Sequence, residues 1–240
     1  MLSALFKKKQ LCDEDVLKLK PGDNHYRAYI GPPRDYDFIA AMVFNLLTCM
    51  GLRQEHKVLD IGCGSLRVGR LLIPYLNQAN YFGIEPNKWL VEDGVRNEIG
   101  QDMVKIKSPT FSYNTSLVDF KDNLNLKYAF AQSIFSHCGI DLISEWLTQL
   151  HPHLQSDGAL LATVLFNDED FEGNGWVYPE CVEFKMETIA NHCGFGFKTL
   201  DWPHPRQTWC LFYKDDFNLE DSDIGQITWS NAFKKRYPNL

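Results

Sequence analysis

Val58-Leu-Asp-Ile-Gly-Cys-Gly64 decides the fold. It reads as a short apolar strand running into two glycines, and a run with helical spacing, Leu66 to Leu76, follows at once. Neither glycine carries a Cβ, so a strand that ends this way before a helix brings bare backbone close to a ligand. The expected site lies at the carboxyl edge of the first strand of an α/β sheet. A dinucleotide fingerprint requires a third glycine three positions after the second. That position is Arg67, so the fingerprint is broken, and no Gly-Lys-Ser/Thr follows to make a phosphate-cradling P-loop.

Two acids say which ligand fits instead. Asp60 precedes the glycine turn, where a carboxylate repels a pyrophosphate but suits a ligand carrying an ammonium group and a sulfonium. Glu85 ends the next apolar run, Tyr81-Phe-Gly-Ile-Glu85. An acid at the end of a second strand accepts hydrogen bonds from both hydroxyls of a ribose. S-adenosylmethionine has the ribose and the positive charge and no phosphate.

Asp60-Ile-Gly-Cys-Gly64 with Glu85 after a second strand resembles motifs I and II of the class I S-adenosylmethionine-dependent methyltransferases. The resemblance runs from about Lys57 to Lys214 as an order of strands and helices. The stretches His56–Tyr75 and Gln132–His137 further resemble a group of largely uncharacterised methyltransferase-domain proteins, which names no substrate. The resemblance implies a Rossmann-like, doubly wound α/β fold: a mostly parallel seven-stranded sheet with helices on both faces. It implies S-adenosyl-L-methionine as cofactor. The expected contacts are Asp60, Gly62, Cys63, Gly64, Arg67, Glu85, Pro86, Asn87, Asp119, Gln132 and Ser133, with Arg67 toward the methionine carboxylate and Asp119 toward the adenine. Cys63 is also explained as a small residue tolerated in the turn.

A chain of 240 residues is long enough for one large core, and 45% hydrophobic with 23% charged residues argues against disorder. A net charge of −7 disfavours nucleic acid as the main partner. The cysteine count is odd, at seven, and without a Cys-x-x-Cys neither a disulfide framework nor a metal site is expected. The simplest compartment is therefore the reducing cytoplasm. Lys7-Lys-Lys9 is followed by no apolar signal core, and Phe38 to Leu52 is too short to span a bilayer, so no membrane partner is expected. One domain is expected: a helical cover over residues 24–55, a core over 57–214 and a tail over 215–240, as a monomer or homodimer.

Along the chain, Phe38–Leu52 reads as a helix on the sheet. Pro86 suits the first turn of a helix Lys88–Ile99, whose Trp89 is expected in the core. Thr110–Asn114 and Tyr128–Phe135 read as the third and fourth strands. Asp141–Leu154 reads as a helix, Asp157-Gly158 as a turn and Ala159–Phe166 as a buried fifth strand. A helix is expected from Pro179 to His192, closed by Gly194, and the last two strands at Leu200–Arg206 and Thr208–Lys214.

Methyl transfer is an in-line displacement from an activated donor, so the protein must align the acceptor and exclude water. An oxygen or nitrogen acceptor also needs a route for its proton. His137, after the fourth strand, is the candidate base, against the competing reading that it only hydrogen-bonds backbone and shapes the pocket. The same region lacks the Asn/Asp-Pro-Pro-Tyr pattern of enzymes that methylate planar nitrogens, which points to a small-molecule acceptor. Tyr29, with Tyr26 and Tyr36, is a lid candidate by resemblance. Trp176, Tyr178, His204 and Arg206 are candidate acceptor contacts, Arg206 as a fork for a carboxylate. The competing readings are a nucleoside-binding protein without turnover and a nicotinamide oxidoreductase, the latter opposed by Arg67.

Overall fold

The computed structural model describes residues 12–120, 123–166, 180–181 and 183–220. The strands are β1 (Val58–Ile61), β2 (Tyr81–Ile84), β3 (Thr110–Ser112), β4 (Leu126–Ala131), β5 (Leu154–Phe166), β6 (Glu180–Cys181), β7 (Gly196–Leu200) and β8 (Thr208–Tyr213). The helices are α1 (Asp13–Val16, a single turn), α2 (Tyr36–Cys49), α3 (Gly69–Tyr75), α4 (Lys88–Gly94), α5 (Gln101–Lys107), α6 (Ile140–Leu150) and α7 (Glu183–His192). Seven strands lie in the order β3-β2-β1-β4-β5-β8-β7, and the two-residue β6 pairs in parallel with the end of β5. All pairings are parallel except those of β8, which runs antiparallel to both β5 and β7. This is the Rossmann-like doubly wound sheet.

The period-two alternation of the strands sends side chains to two separate cores. Val58, Tyr81, Tyr128, Phe130, Leu161 and Leu211 meet α2, α3 and α4 on one face. Leu59, Ile61, Phe82, Ala129, Leu160 and Phe212 meet α6 and α7 on the other. Both faces are buried, which is why the central strands read as continuous apolar runs rather than alternating ones. Asp60 belongs to the first face, between Val58 and the turn, and this decides its environment below.

Several expected boundaries move. The helix expected from Leu66 begins at Gly69, because the chain first completes a turn in which Leu66 itself has φ +62°. The fourth strand starts two residues earlier, at Leu126, and ends at Ala131, where Ser133 turns left-handed at φ +58° and Phe135–His137 forms a 3-10 turn. The sixth helix runs Ile140–Leu150 and gives way to a 3-10 turn at His151–His153. Asp157-Gly158 does not break the chain: both lie in β5, in a bulge where Leu126 faces Leu154 and Tyr128 faces Ala159, with Lys127 bridging to Asp157 at 2.9 Å. Pro179 lies outside the described residues; Glu180–Cys181 is strand and the helix starts at Glu183. The strand expected at Leu200–Arg206 is instead Gly196–Leu200, and residues 201–207 form the loop into β8. Helix α5 has no fully buried side chain and packs only Met103 and Val104, partly buried, against the first core.

Candidate functional site

The parallel register brings three strand ends to one edge. Asp60 pairs with Gly83 of β2 and Phe130 of β4, so Gly62, Glu85 and Gln132 leave the sheet side by side. The backbone N–H groups of Gly62 and Cys63 both donate to the Ile84 carbonyl, at 2.9 and 3.0 Å, which pins the turn to the end of β2. Gly62 has φ +73° and Gly64 φ +52°, conformations that L side chains avoid. A Cβ on Gly62 would also stand 2.1 Å from Ile134 Cδ1, and one on Gly64 3.0 Å from Ile30 Cγ2. The aliphatic ends of Ile134 and Ile30 thus lie directly on the bare backbone. Gly94 of α4 serves close packing: a Cβ there would meet the Ser65 carbonyl oxygen at 2.3 Å.

Glu85 is buried and held by three donors. Gly64 N–H reaches Oε2 at 3.2 Å, and Asn87 reaches Oε1 through its backbone N–H at 2.8 Å and its amide at 2.9 Å. The glycine turn and the second acid therefore form one rigid unit. Asp119, expected near the adenine, is brought to this side of the edge: Ser112 Oγ donates to it at 2.5 Å, and Glu85 N–H donates to the Ser112 carbonyl at 3.0 Å. Pro86 is exposed beside them.

Asp60 is different. Its carboxylate points into the first core, 3% exposed, and accepts the Tyr81 hydroxyl at 2.7 Å. Burial raises its pKa to about 7, opposed by the Tyr81 hydrogen bond and the charge of Arg67. Cys63 also turns inward, its Sγ close to Gly83, and burial pushes the thiol well above its ordinary pKa. Only the backbone of Cys63 faces the edge, as suits a small residue tolerated in a turn.

On the other side of β1 a second polar group assembles. Arg67 donates to the Ile30 carbonyl at 3.3 Å and to the Gln132 amide oxygen. Gln132 reaches Ser133 Oγ at 2.6 Å and stands 3.2 Å from His204 Nε2. Ser133 N–H donates to Thr163 Oγ1 at 2.7 Å, and its hydroxyl bonds Gln207 at 3.3 Å. His204 thus joins the site, whereas the side chain of Arg206 is exposed and only its backbone N–H, at 3.3 Å, touches His204. Burial, then Arg67 and Arg206, lower the pKa of His204 to about 4. His137 sits in the 3-10 turn beyond Ser133, half-buried, and burial lowers its pKa, which keeps the imidazole neutral at neutral pH.

The segment ahead of α2 straps the same edge. Arg27 binds Glu98 at 2.7 Å, Tyr26 donates to Glu98 at 2.9 Å, and Arg70 bridges Glu98 to Asp37. Tyr36 is buried under the guanidinium groups of Arg27 and Arg70, 4.8 and 5.2 Å from its ring centre, and donates to the Ser65 carbonyl. Of the three tyrosines only Tyr29 is exposed. It meets Trp89 edge-on at 5.1 Å, so Trp89 is half-buried under the strap and not in the core. Trp176 and Tyr178 lie outside the described residues.

Sequence reasoning missed Ile30, Ile134, Tyr81, Thr163 and Gln207 as members of the site. Tyr81 was readable, because it opens the strand beside Asp60 and shares its face. Thr163 is one polar residue inside the apolar run of β5, and Ile30, Ile134 and Gln207 come from loops with no local pattern. Among the described residues no cluster of three His, Cys, Asp or Glu groups is placed to hold a metal ion, and no helix is long and apolar enough to cross a membrane.

No family model matches the chain. Its structure is similar to 1,6-didemethyltoxoflavin-N1-methyltransferase of Burkholderia thailandensis, solved with S-adenosylhomocysteine: 16% identity over 76% of this chain and 80% of that one, TM-score 0.55. It is similar to magnesium protoporphyrin IX methyltransferase of Synechocystis PCC 6803 with bound SAH, at 14% identity over 76% and 85%, TM-score 0.54. A third, DhpI in its SAH complex, shares 12% identity over 80% and 90%, TM-score 0.58. At these identities the likeness shows the fold, which is that of the class I methyltransferases.

Proposed function

We propose that this chain is an S-adenosyl-L-methionine-dependent methyltransferase acting on an oxygen or nitrogen of a small molecule. The observation that carries this reading is the unit made by Gly62-Cys63-Gly64 and Glu85: an oriented carboxylate locked to a glycine turn at adjacent strand ends. The residues fit the cosubstrate by their chemistry. Glu85 offers a carboxylate to vicinal hydroxyls, Asp119 is tied to it through Ser112, and Asp60 places a latent negative charge under the turn. The fold's relatives named above carry SAH at their own sites, which supports the same ligand here.

The cosubstrate supplies an already activated methyl group. The chain's part is to hold, orient and exclude water. Ile30 and Ile134 cover the glycines with flexible aliphatic ends, which must rotate to admit a nucleoside and then seal the edge against solvent. His137, neutral by burial, is the group we assign to receive the acceptor's proton. Asn87 flanks the cosubstrate's ribose end; Arg67, expected at its carboxylate, stands with Gln132 and His204 on the side left to the acceptor, which Tyr29 also faces. Trp176, Tyr178 and Arg206 remain acceptor contacts on sequence grounds. The net charge of −7 suits a small-metabolite acceptor better than nucleic acid, and the cytoplasm is the compartment we assign.

Calorimetric titration tests the reading. S-adenosylmethionine and S-adenosylhomocysteine should bind and NAD should not; incubation with metabolite extracts should release S-adenosylhomocysteine. Binding of NAD alone contradicts the proposal. Nucleoside binding with no release from any extract would favour a binding protein without turnover.

A further inference from the structure

The carboxyl edge is divided by charge. Its β2–β3 side carries Glu85 and Asp119, and its β4–β8 side carries Arg67, His204 and Arg206, with the Asp35 carboxylate ahead of α2 the acid whose charge reaches Arg67 and His204. A cationic cosubstrate belongs to the first side. The second side has a defect of its own: too few hydrogen-bond acceptors.

His204 Nδ1 faces the backbone N–H groups of Gln207 at 3.0 Å and Arg206 at 3.3 Å. A neutral imidazole has one lone pair, and here those N–H groups claim it. The hydrogen is then on Nε2, which stands 3.2 Å from the Gln132 amide nitrogen, itself a donor. Turning the amide over gives His204 an acceptor but aims the NH₂ at the Arg67 guanidinium, whose present partner is the amide oxygen. Either arrangement sets donor against donor. Moreover, Arg67 Nε is buried without a partner, and among the described residues the Arg67 guanidinium donates only to the Ile30 carbonyl and the Gln132 amide. Gln132 is 7% exposed, so solvent has little access to its amide. Buried donors facing donors cost free energy that an added acceptor recovers.

We propose that Arg67, Gln132 and His204 form a binding site for a carboxylate of the methyl acceptor, which makes the acceptor an organic acid. The carboxylate takes the Arg67 fork; the Gln132 amide turns and offers its oxygen to His204 Nε2–H. This rests on reading the edge as a methyltransferase site. The cosubstrate also carries a carboxylate, so the test must separate the two sources.

Benzoate and its uncharged amide, benzamide, are titrated into ¹⁵N-labelled protein, alone and saturated with S-adenosylhomocysteine, while the His204 imidazole and Gln132 amide signals are followed. Benzoate should shift both signals saturably with or without the nucleoside, and benzamide should not. Arg67→Met should weaken the benzoate response at least tenfold; His204→Phe, a loop substitution that leaves Arg67 in place, should weaken it as well. Equal responses to benzoate and benzamide, or variants that bind benzoate like the wild type, overturn the proposal. So does loss of the benzoate response once S-adenosylhomocysteine is bound, which assigns the site to the cosubstrate's own carboxylate. If S-adenosylhomocysteine itself fails to bind, the methyltransferase reading falls, and the nucleoside-free titration still decides whether the acid site exists.

Discussion

Asp60 is the residue whose behaviour the structure changes most. At the sequence level it stands for a carboxylate at a strand tip. In the fold it faces the α2–α3 core beneath the glycine turn, bonded to Tyr81. Its folded pKa, about 7, lies above its ordinary 3.8, so between those values the folded state binds more protons than the unfolded one. Asp60 therefore adds stability below pH 4 that is lost as pH rises through about 7. In thermal denaturation without ligand, the wild type should lose stability over that window; Asp60→Asn should lose less and melt higher at pH 8. A cationic ligand reverses the preference by favouring ionised Asp60. S-adenosylmethionine should bind more tightly at pH 8 than at pH 6 and release protons, seen by calorimetry in buffers of different ionisation enthalpy, and Asp60→Asn should abolish the release. Glu85→Ala should weaken S-adenosylmethionine by about 1–3 kcal/mol, the range for charge-assisted hydrogen bonds, in the same titration.

At the scale of elements, the strap over residues 25–31 is held by one acid. Glu98 sits in the π-helical turn Val95–Ile99, its side chain 5% exposed, and takes Arg27, Arg70 and Tyr26 together. Removing one partner of a buried ion pair strands the others, at a cost of about 3–5 kcal/mol. Glu98→Gln should therefore raise hydrogen exchange of amides in residues 25–31, among them the Tyr29 N–H bonded to the His25 carbonyl, while the exchange of β1 and β4 stays unchanged. Unaltered exchange in the strap would show that the tyrosine and isoleucine contacts suffice without the latch. Elements with strong periodicity were legible: β1, β2 and the apolar part of β5 fall where their patterns place them, and α2, expected at Phe38–Leu52, runs Tyr36–Cys49. Gly196–Leu200 was not, because Lys198 and Thr199 give an edge strand little apolar signal, whereas the Leu-Asp-Trp run after it looked stronger. Asp157-Gly158 reads as a turn because its dipeptide is a turn former; only the facing strand, through Lys127, shows that the chain bulges and continues.

For the whole molecule, the order β3-β2-β1-β4-β5-β8-β7 places the reversal of strand order between β1 and β4, and the site gathers at that switch point. This much followed from one motif, because Gly-x-Gly after a strand has few structural solutions. Arg67, Gln132 and His204 were each candidates, but their joining into one cluster did not follow, nor did the Ile30–Ile134 cover, since the cluster bonds residues up to 72 positions apart across loops with no shared period. The central claim is that the glycine turn and Glu85 bind an adenosyl sulfonium cosubstrate. Crystals grown with S-adenosylhomocysteine test it most directly: the account predicts ribose hydroxyls on the Glu85 carboxylate with Ile30 and Ile134 turned away from Gly64 and Gly62. Nucleoside density elsewhere, with both isoleucines still seated on the glycines, would contradict it.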